Sequence, residues 1–246
     1  MLKVPELPCA QDNQLLATLA TDERTRFALS AKPVDLEQGQ VLYEAGGQLH
    51  HVYFPSTSVI SCLYTMHDGP TAEMALVGRD GLVGIFLLLG GETASHRAVV
   101  QVGGRALKVP AKIVQAEFAR GGNFQWAVLR YTQALITHIS QTAVCNRLHS
   151  VEQRLCRWLL LCHDLVKSPE LLMTQEYIAN VLGGRRESVT VAAGRLQDAG
   201  LIHYSRGHIR LLNRQGLEAS ACECYRIVRD ENDRLIRLYA SATYCA

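Results

Sequence analysis

The spacing of hydrophobic positions changes along the chain and separates a β-prone part from a mainly helical part. The chain begins with helical spacing, in which Leu16, Leu19 and Phe27 share one face. From Val34 short apolar runs alternate with glycines, which can take the positive φ of tight turns. Short strands at roughly ten-residue spacing predict an antiparallel β-roll or jelly-roll. The runs are residues 41–43, 51–54, 59–64, 72–77, 97–102 and 105–109.

A long helix is predicted to follow the β-prone part. Residues 124–149 contain no helix breaker and carry a near-heptad stripe. One helix over this range spans about 39 Å at about 1.5 Å per residue. Such a seam can pack on the chain's own barrel, pair with a second copy of the chain, or do both. The stripe consists of Phe124, Val128, Tyr131, Leu135, Ile139 and Thr142.

Two short helices joined by glycines are predicted between residues 173 and 197. Thr174 is a good N-cap for the first helix, and Gly183-Gly184 ends it with a sharp turn. The second helix, residues 185–197, has an apolar stripe and a polar N-terminal half. A helix, a turn and a helix form the helix-turn-helix unit, whose second helix lies in the major groove of DNA.

A hairpin and a local excess of arginine follow these helices. Residues 201–205 and 208–212 flank an Arg206-Gly207 turn, which is the pattern of a wing. Residues 174–214 hold six arginines and three acidic residues, a net charge of +3, although the whole chain carries only +2. A guanidinium suits phosphates and guanine edges, while a solvated arginine-rich face is the common alternative.

These segments resemble the Crp/Fnr family of transcription regulators. The specific part, from residue 173 to residue 211, is MTQEYIANVLGGRRESVTVAAGRLQDAGLIHYSRGHIRL, and a looser match from residue 145 to residue 160 is CNRLHSVEQRLCRWLL. The resemblance implies an α+β fold with an N-terminal cyclic-nucleotide-binding-like β-roll in residues 1–123. A long dimerisation helix would occupy residues 124–149. A C-terminal winged helix-turn-helix would occupy residues 150–246, with an extra helix over residues 217–240.

The resemblance implies sequence-specific DNA binding in the C-terminal part. The family's Arg-Glu pair that reads a guanine and its partner falls on Arg186 and Glu187, and Ser188 would contact phosphate or base. Relatives that read the same half-site usually have an arginine four residues after the glutamate, where this chain has Val191. The usual half-site is therefore not expected here. The predicted DNA-binding residues are Thr174, Arg185, Arg186, Glu187, Ser188, Thr190, Arg195, Arg206 and Arg210.

The sensor part departs from relatives that bind cyclic AMP. Those relatives hold the ribose with a Gly-Glu pair and the phosphate with Arg followed by Ser or Thr; the best match here is Gly84-Ile85 and Arg97-Ala98. An apolar Ile85 cannot accept a hydrogen bond from a ribose hydroxyl, and burying that hydroxyl unpaired would cost roughly 1–3 kcal/mol. We therefore disfavour cyclic AMP and keep Arg97 as the candidate effector-binding residue for an unknown ligand.

An iron–sulfur cluster and haem are also disfavoured. The redox-sensing relatives have a cluster of N-terminal cysteines, and this chain offers Cys9 alone there. The axial haem ligand could be one of several histidines by residue type only. These histidines are His50, His51, His67 and His96.

The eight cysteines predict neither a disulfide framework nor a metal site, since no Cys-x-x-Cys pair occurs. Cys222 and Cys224, two apart on the predicted C-terminal helix, would point about 200° away from each other, a poor chelate. No catalytic residues are predicted, because His50 and His51 are adjacent and would face opposite sides of a strand, and other catalytic motifs are missing.

The predicted partners are double-stranded DNA with a palindromic operator, a second copy of the chain and, for an activator, RNA polymerase. The sequence has no run of 18 apolar residues and no apolar leader at its start, so we expect a cytoplasmic protein without a membrane span. A small-molecule sensor or scaffold that does not act through DNA stays an alternative. That alternative would leave the arginine-rich second helix and wing unexplained.

Overall fold

The computed structural model describes residues 12–67, 69–166, 168 and 170–242 of the chain. Cys9, considered above as an iron–sulfur ligand, lies outside the described residues. None of the helices within these ranges is both long and apolar enough to cross a membrane.

The N-terminal part is an antiparallel β-roll preceded by two short helices, as the hydrophobic pattern predicts. One sheet has the strand order β1-β7-β3 and the other β2-β6-β4-β5. The elements are α1 (Gln14–Ala17), α2 (Thr21–Ala28), β1 (Lys32–Leu36), β2 (Val41–Tyr43), β3 (His51–Pro55), β4 (Val59–Thr65), β5 (Thr71–Val77), β6 (Arg97–Val102) and β7 (Gly104–Pro110), with a 3₁₀ turn at Ile85–Leu88.

The long helix packs its N-terminal half on this roll. After α3 (Ala111–Arg120), α4 runs over Gly122–Leu148. The ring of Phe124 on α4 lies 5.0 Å from that of Phe27 on α2 in an edge-to-face contact. Tyr131 donates a hydrogen bond of 3.1 Å to the carbonyl of Leu82, and its ring fills the space where a Cβ on Gly81 would stand. The roll and the start of α4 thus share one core.

The seam predicted on α4 faces the chain's own core. Phe124, Val128, Tyr131 and Thr142 are buried there, and Leu135 and Ile139 are half-buried. Of the arrangements open to this seam, the structure shows packing on the chain's own roll, which leaves little of the seam exposed for a second copy. A second stripe on α4, also stepping by three and four residues, is exposed instead. It consists of Trp126, Leu129, Gln133, Ile136, Ser140, Ala143 and Arg147, which we call the outer seam.

The C-terminal part is a winged helix-turn-helix built around a second core. Its three-stranded sheet has the order β8-β10-β9. The elements are α5 (Val151–Leu165), β8 (Glu170–Leu172), α6 (Gln175–Val181), α7 (Arg186–Asp198), β9 (Ile202–Ser205), β10 (His208–Leu211), α8 (Arg214–Ser220) and α9 (Glu223–Ala242).

The region of the predicted C-terminal helix consists of two helices, α8 and α9, and α9 runs back along α4. The prediction of one helix over residues 217–240 is wrong, since Ala221 adopts an extended conformation, with ψ 156°, that ends α8. α9 then packs along α4 of the same chain, where Gln133 donates a hydrogen bond of 2.9 Å to Glu231. Leu235 of α9 is buried. The added helix therefore braces α4 within its own chain.

A buried polar contact joins the roll to α5. Glu73 on β5 accepts hydrogen bonds from Trp158 of α5, at 2.7 Å, and from Ser61 of β4. Burial, opposed by these two hydrogen bonds, raises the pKa of Glu73 to about 7. The carboxyl therefore changes charge near neutral pH at the contact between the roll and α5.

We expect Glu73→Gln to reduce the pH dependence of stability. Because the folded-state pKa of Glu73 is raised, its contribution is fully present below about pH 4.5 and is lost as pH rises through about 7. The loss amounts to roughly 3 kcal/mol at most. Urea unfolding from pH 5 to pH 8 should show wild type losing stability relative to Glu73→Gln.

The exposed carboxyl of Glu92 provides the control. Glu92→Gln should follow the wild-type pH profile. A Glu73→Gln profile parallel to wild type over this range would show that Glu73 does not titrate there.

Candidate nucleic-acid interface

The turn between α6 and α7 sets the position of the second helix. Thr174 is the N-cap of α6, and its hydroxyl accepts a hydrogen bond of 3.2 Å from the backbone N–H of Tyr177. Gly183 ends α6 with φ 59°, a left-handed conformation that favours glycine. Arg185, in an extended conformation, then begins α7. Local chemistry thus fixes the sharp bend that the sequence predicts.

α7 buries one face and presents the other to solvent. At about 100° per residue, the buried side chains form a single stripe against α5 and α6. Glu187, Val191 and Gly194 lie at the middle of the opposite face, and the Val191 side chain is 55% exposed. No atom outside its own turn lies within 4 Å of a Cβ placed on Gly194, so this face is open. The buried stripe is Val189, Ala192, Ala193 and Leu196.

The predicted contact residues are divided between the two edges of this outer face. Arg186 and Thr190 share the edge nearer the wing, whereas Ser188 and Arg195 share the other edge. Thr190 donates a hydrogen bond of 2.8 Å to Gln175 at the start of α6. Its hydroxyl therefore fixes α7 against α6.

Arg195 is also engaged within the chain. Its guanidinium lies 3.4 Å from the carboxylate of Glu152 on α5, in an exposed ion pair. Arg195 is half a turn away from Arg186 around the helix, nine residues on. The structure therefore does not bring Arg195 together with Arg186.

The wing is a tight hairpin with an arginine at its tip. Arg206 and Gly207 have φ of 48° and 84°, as expected for a two-residue type I′ turn. Arg206 is exposed at this tip. Arg210 is exposed farther along β10, opposite His203 in the strand register. The two arginines predicted to clamp the DNA backbone thus lie at different ends of the hairpin.

A shallow depression brings the first helix, the second helix and the wing together. Its lining includes three predicted residues, Thr174, Arg186 and Arg206. It also includes Gln175 and Tyr204, which the sequence interpretation missed. The Tyr204 hydroxyl donates a hydrogen bond of 3.0 Å to the carbonyl of Met173, and burial raises the pKa of Tyr204. Gln175 directly follows Thr174, the predicted N-cap, and this position in the sequence could have identified Gln175 as a further candidate.

The sensor residues lie in surroundings unlike those of an anion site. Arg97 on β6 forms an ion pair of 3.2 Å with the exposed Glu44. Ile85 is buried and packs in the roll's core. Between these two segments, the Tyr43 hydroxyl lies 2.8 Å from His96, and both rings pack edge-to-face on Phe86. Burial lowers the pKa of His96, so this histidine is neutral at pH 7.

The prediction that Cys222 and Cys224 make a poor chelate assumed that both lie on one helix, and this assumption is wrong. Cys222 precedes α9, which begins at Glu223, and Cys224 is the second residue of that helix. Cys222 and Cys224 are therefore not held 200° apart on one helix. Both are buried, and they face Cys145 and His149 at the end of α4.

Comparisons with known proteins agree with this architecture. Residues 153–220 match the family of Crp-like helix-turn-helix domains. No curated protein matches the chain in sequence.

Solved structures share the fold at low sequence identity. FixK2 from Bradyrhizobium japonicum is 17% identical with a TM-score of 0.67, over 78% of this chain and 98% of its own. A CRP-family transcriptional regulator from Thermus thermophilus is 18% identical with a TM-score of 0.65, over 77% and 96%. The c-di-GMP responsive global regulator CLP from Xanthomonas campestris is 16% identical with a TM-score of 0.62, over 78% and 99%.

The β-roll, the long helix and the winged helix-turn-helix define a DNA-binding transcription regulator. Residues 153–220 form a Crp-like helix-turn-helix domain, and the chain as a whole has the Crp/Fnr fold. A sensor or scaffold that does not act through DNA is not favoured.

Proposed function

We propose that two copies of the protein bind a palindromic DNA site and read its base sequence with α7. The observation that carries this proposal is the depression in which Arg186 of α7 and Arg206 of the wing lie together. A recognition helix in the major groove brings its N-terminal residues to base edges while a wing reaches the adjacent phosphates. Arg186 then contacts a guanine, and Arg206 contacts the backbone.

The middle of the outer face of α7 determines which further bases are read. Glu187 can accept a hydrogen bond from a cytosine amino group, and the exposed Val191 can contact a thymine methyl group. Gly194 lets the sugar-phosphate backbone approach the helix closely. Ser188 and Arg195 at the far edge are placed for phosphate contacts, provided that Arg195 leaves its exposed partner Glu152.

The outer seam of α4 is the proposed contact with the second copy. Trp126 and Ile136 are 60% and 59% exposed, and Leu129 is 40% exposed, on one face of a 27-residue helix. Two such faces can pair as a coiled coil, with polar Ser140 fixing the register, while Gln133 is held by Glu231 of α9 in the same chain. A symmetric dimer then presents two copies of α7 to two half-sites.

The roll is proposed to be a divergent sensor that does not bind cyclic AMP in the family manner. Ile85 packs in the core, and the rings of Tyr43 and His96 pack on Phe86, the next residue in the chain. Arg97 also has a carboxylate partner in Glu44. Titration of the whole protein with cyclic AMP should therefore leave its affinity for DNA unchanged.

We expect Arg186→Ala and Arg206→Ala to affect DNA binding differently. Loss of a guanine contact removes about 1–3 kcal/mol of discrimination, roughly 5- to 150-fold, between the selected site and scrambled DNA. Loss of a phosphate contact weakens binding to both DNAs equally and reduces the slope of log K against log salt by about 0.9 for each subunit, which is about 1.8 for the dimer. Fluorescence anisotropy on both DNAs at several salt concentrations measures both effects.

Arg120→Ala provides a matched control, since Arg120 is an exposed arginine on α3. It is far in sequence from the winged helix-turn-helix of residues 170–220, which we call the reader. This variant should leave both the discrimination and the salt slope unchanged. Arg186→Ala and Arg206→Ala effects that are identical on the two DNAs would contradict the assigned roles.

Val191→Arg should change the preferred base at the contacted position. An arginine there can bind guanine with two hydrogen bonds, whereas valine can only contact a methyl group. Competition binding with single-base variants of the selected site should show a shift from thymine towards guanine at one position in each half-site. An unchanged preference at every position would mean that Val191 does not face the bases.

Ile136→Glu should disrupt the dimer. Two facing carboxylates would be buried without partners, at a cost of roughly 3 kcal/mol or more, which weakens association by more than about 100-fold. Sedimentation equilibrium should show a monomer at micromolar concentration, with DNA affinity reduced in parallel. Leu29→Glu, at a leucine that is 75% exposed outside the seam, should remain dimeric. A dimeric Ile136→Glu variant would exclude the outer seam as the interface.

A further inference from the structure

Four potential metal ligands from distant parts of the chain lie close together, where the end of α4 meets the junction between α8 and α9. Cys145 lies in the last turn of α4, and His149, the C-cap residue that follows Leu148, donates its backbone N–H to the carbonyl of Cys145 at 3.1 Å. Cys222 and Cys224 lie where α8 passes into α9. The Sγ atoms and the His149 ring nitrogen all lie within 4.8 Å of one another.

Two of the distances within this cluster match those of a tetrahedral site. Bond lengths of about 2.3 Å to sulfur and about 2.0–2.1 Å to nitrogen place two sulfur ligands about 3.8 Å apart, and sulfur and nitrogen about 3.6 Å apart. The Sγ atoms of Cys145 and Cys222 are 3.5 Å apart, and Cys224 Sγ lies 3.6 Å from Nδ1 of His149. The remaining pairs of ligand atoms lie within 4.8 Å of one another, so an approach of about 1 Å at most would let one ion of zinc size contact all four ligands.

His149 has a partner that orients it as a ligand. Its Nδ1 faces Cys224, while its Nε2 lies 3.5 Å from the carboxylate of Glu223. Metal-binding histidines commonly donate their second ring N–H to a carboxylate, which fixes the tautomer. The neighbouring residue Glu223 therefore supports binding through Nδ1.

Buried positive charge lies beside the thiols. Arg154 and Arg157 of α5 are 8% and 5% exposed, and neither forms an ion pair with a carboxylate within the described ranges. Arg157 donates a hydrogen bond of 2.7 Å to the neutral hydroxyl of Thr142. Zinc with three thiolates and a neutral imidazole carries a net charge of −1, which these guanidiniums would balance.

We propose that Cys145, His149, Cys222 and Cys224 bind one Zn²⁺ ion in a closed structural site. Four protein ligands leave no open coordination position, and the three cysteines are almost completely buried. A single ion fits better than an iron–sulfur cluster, whose ligands bind different iron atoms and lie farther apart. The Cys145–Cys222 separation also exceeds the disulfide bond length of about 2.05 Å.

The zinc site joins the ends of the DNA-binding domain. Cys145 and Cys222 are 77 residues apart, and the chain between them contains α5, α6, α7 and the wing. Binding energy at this site therefore holds the base of the reader against the end of α4. Since metal binds the folded protein, it also adds to the stability of this arrangement.

Metal content and cobalt spectroscopy of the full-length protein test the site. The reduced protein, supplied with Zn²⁺ and then desalted, should retain one zinc per chain by mass spectrometry of the metal. Protein supplied with Co²⁺ should show the thiolate-to-cobalt band and the intense visible bands of a tetrahedral site. The thermal midpoint should rise with Zn²⁺ in wild type.

Variants assign the ligands and their support. Cys224→Ala should lose stoichiometric zinc and the cobalt bands, whereas Cys224→His, which supplies another ligand, should keep both. Glu223→Gln should weaken zinc affinity roughly 10- to 100-fold. Cys62→Ala, on β4 outside the cluster, should bind zinc as wild type does.

Three results would overturn the proposal. They are wild-type protein without stoichiometric zinc and without tetrahedral cobalt bands, zinc retained in full by Cys224→Ala, and a Cys145–Cys222 disulfide in the metal-treated protein. The wild-type measurements decide the matter even where a variant fails to fold. None of these measurements uses DNA. A protein that binds no zinc would therefore not contradict the proposed DNA binding, and a protein that binds no DNA would not contradict the zinc site.

Discussion

The burial of α5 on all sides is the constraint on which the other elements depend. Its side chains join one core that contains Val59 and Leu76 of the roll together with Ile178 and Val189 of the helix-turn-helix. Residues 154–162 of α5 are all buried, which requires neighbours on every side of the helix, so roll and reader both pack on it. Trp158 adds direction, because its ring N–H reaches the buried Glu73 on β5. The orientation of α7 relative to the roll follows from this shared core.

The other end of the reader is held by α4 and α9. α9 returns along α4, and the junction before it brings Cys222 and Cys224 to Cys145. The reader is thus attached at two places, through α5 to the roll and through the cysteine cluster to the long helix. Glu73, whose pKa burial raises to about 7, lies at the first of these attachments, where it accepts the hydrogen bond from Trp158 of α5.

Local patterns predicted the reader well, whereas tertiary relations escaped them. The spacing of Val189, Ala192 and Leu196 assigned the buried face of α7, since helical periodicity needs no partner to be read. α4 carries two stripes of the same spacing, and periodicity alone could not tell which one faces the chain itself; the more apolar stripe is the internal one. The cysteine cluster depends on the extended conformation of Ala221, which ends α8. Because neither a glycine nor a proline stands at this break, the sequence did not predict it. The sequence does not show that Thr190 and Arg195 have partners within the chain, because these partners, Gln175 and Glu152, lie on other helices.

Selection of bound DNA from a random pool by the full-length protein tests the central claim most directly. The account predicts enrichment of an inverted repeat whose half-site centres are about 34 Å apart, one turn of DNA, with a guanine in each half-site for Arg186. No enrichment over the starting pool, or an enriched sequence without twofold symmetry, would contradict it.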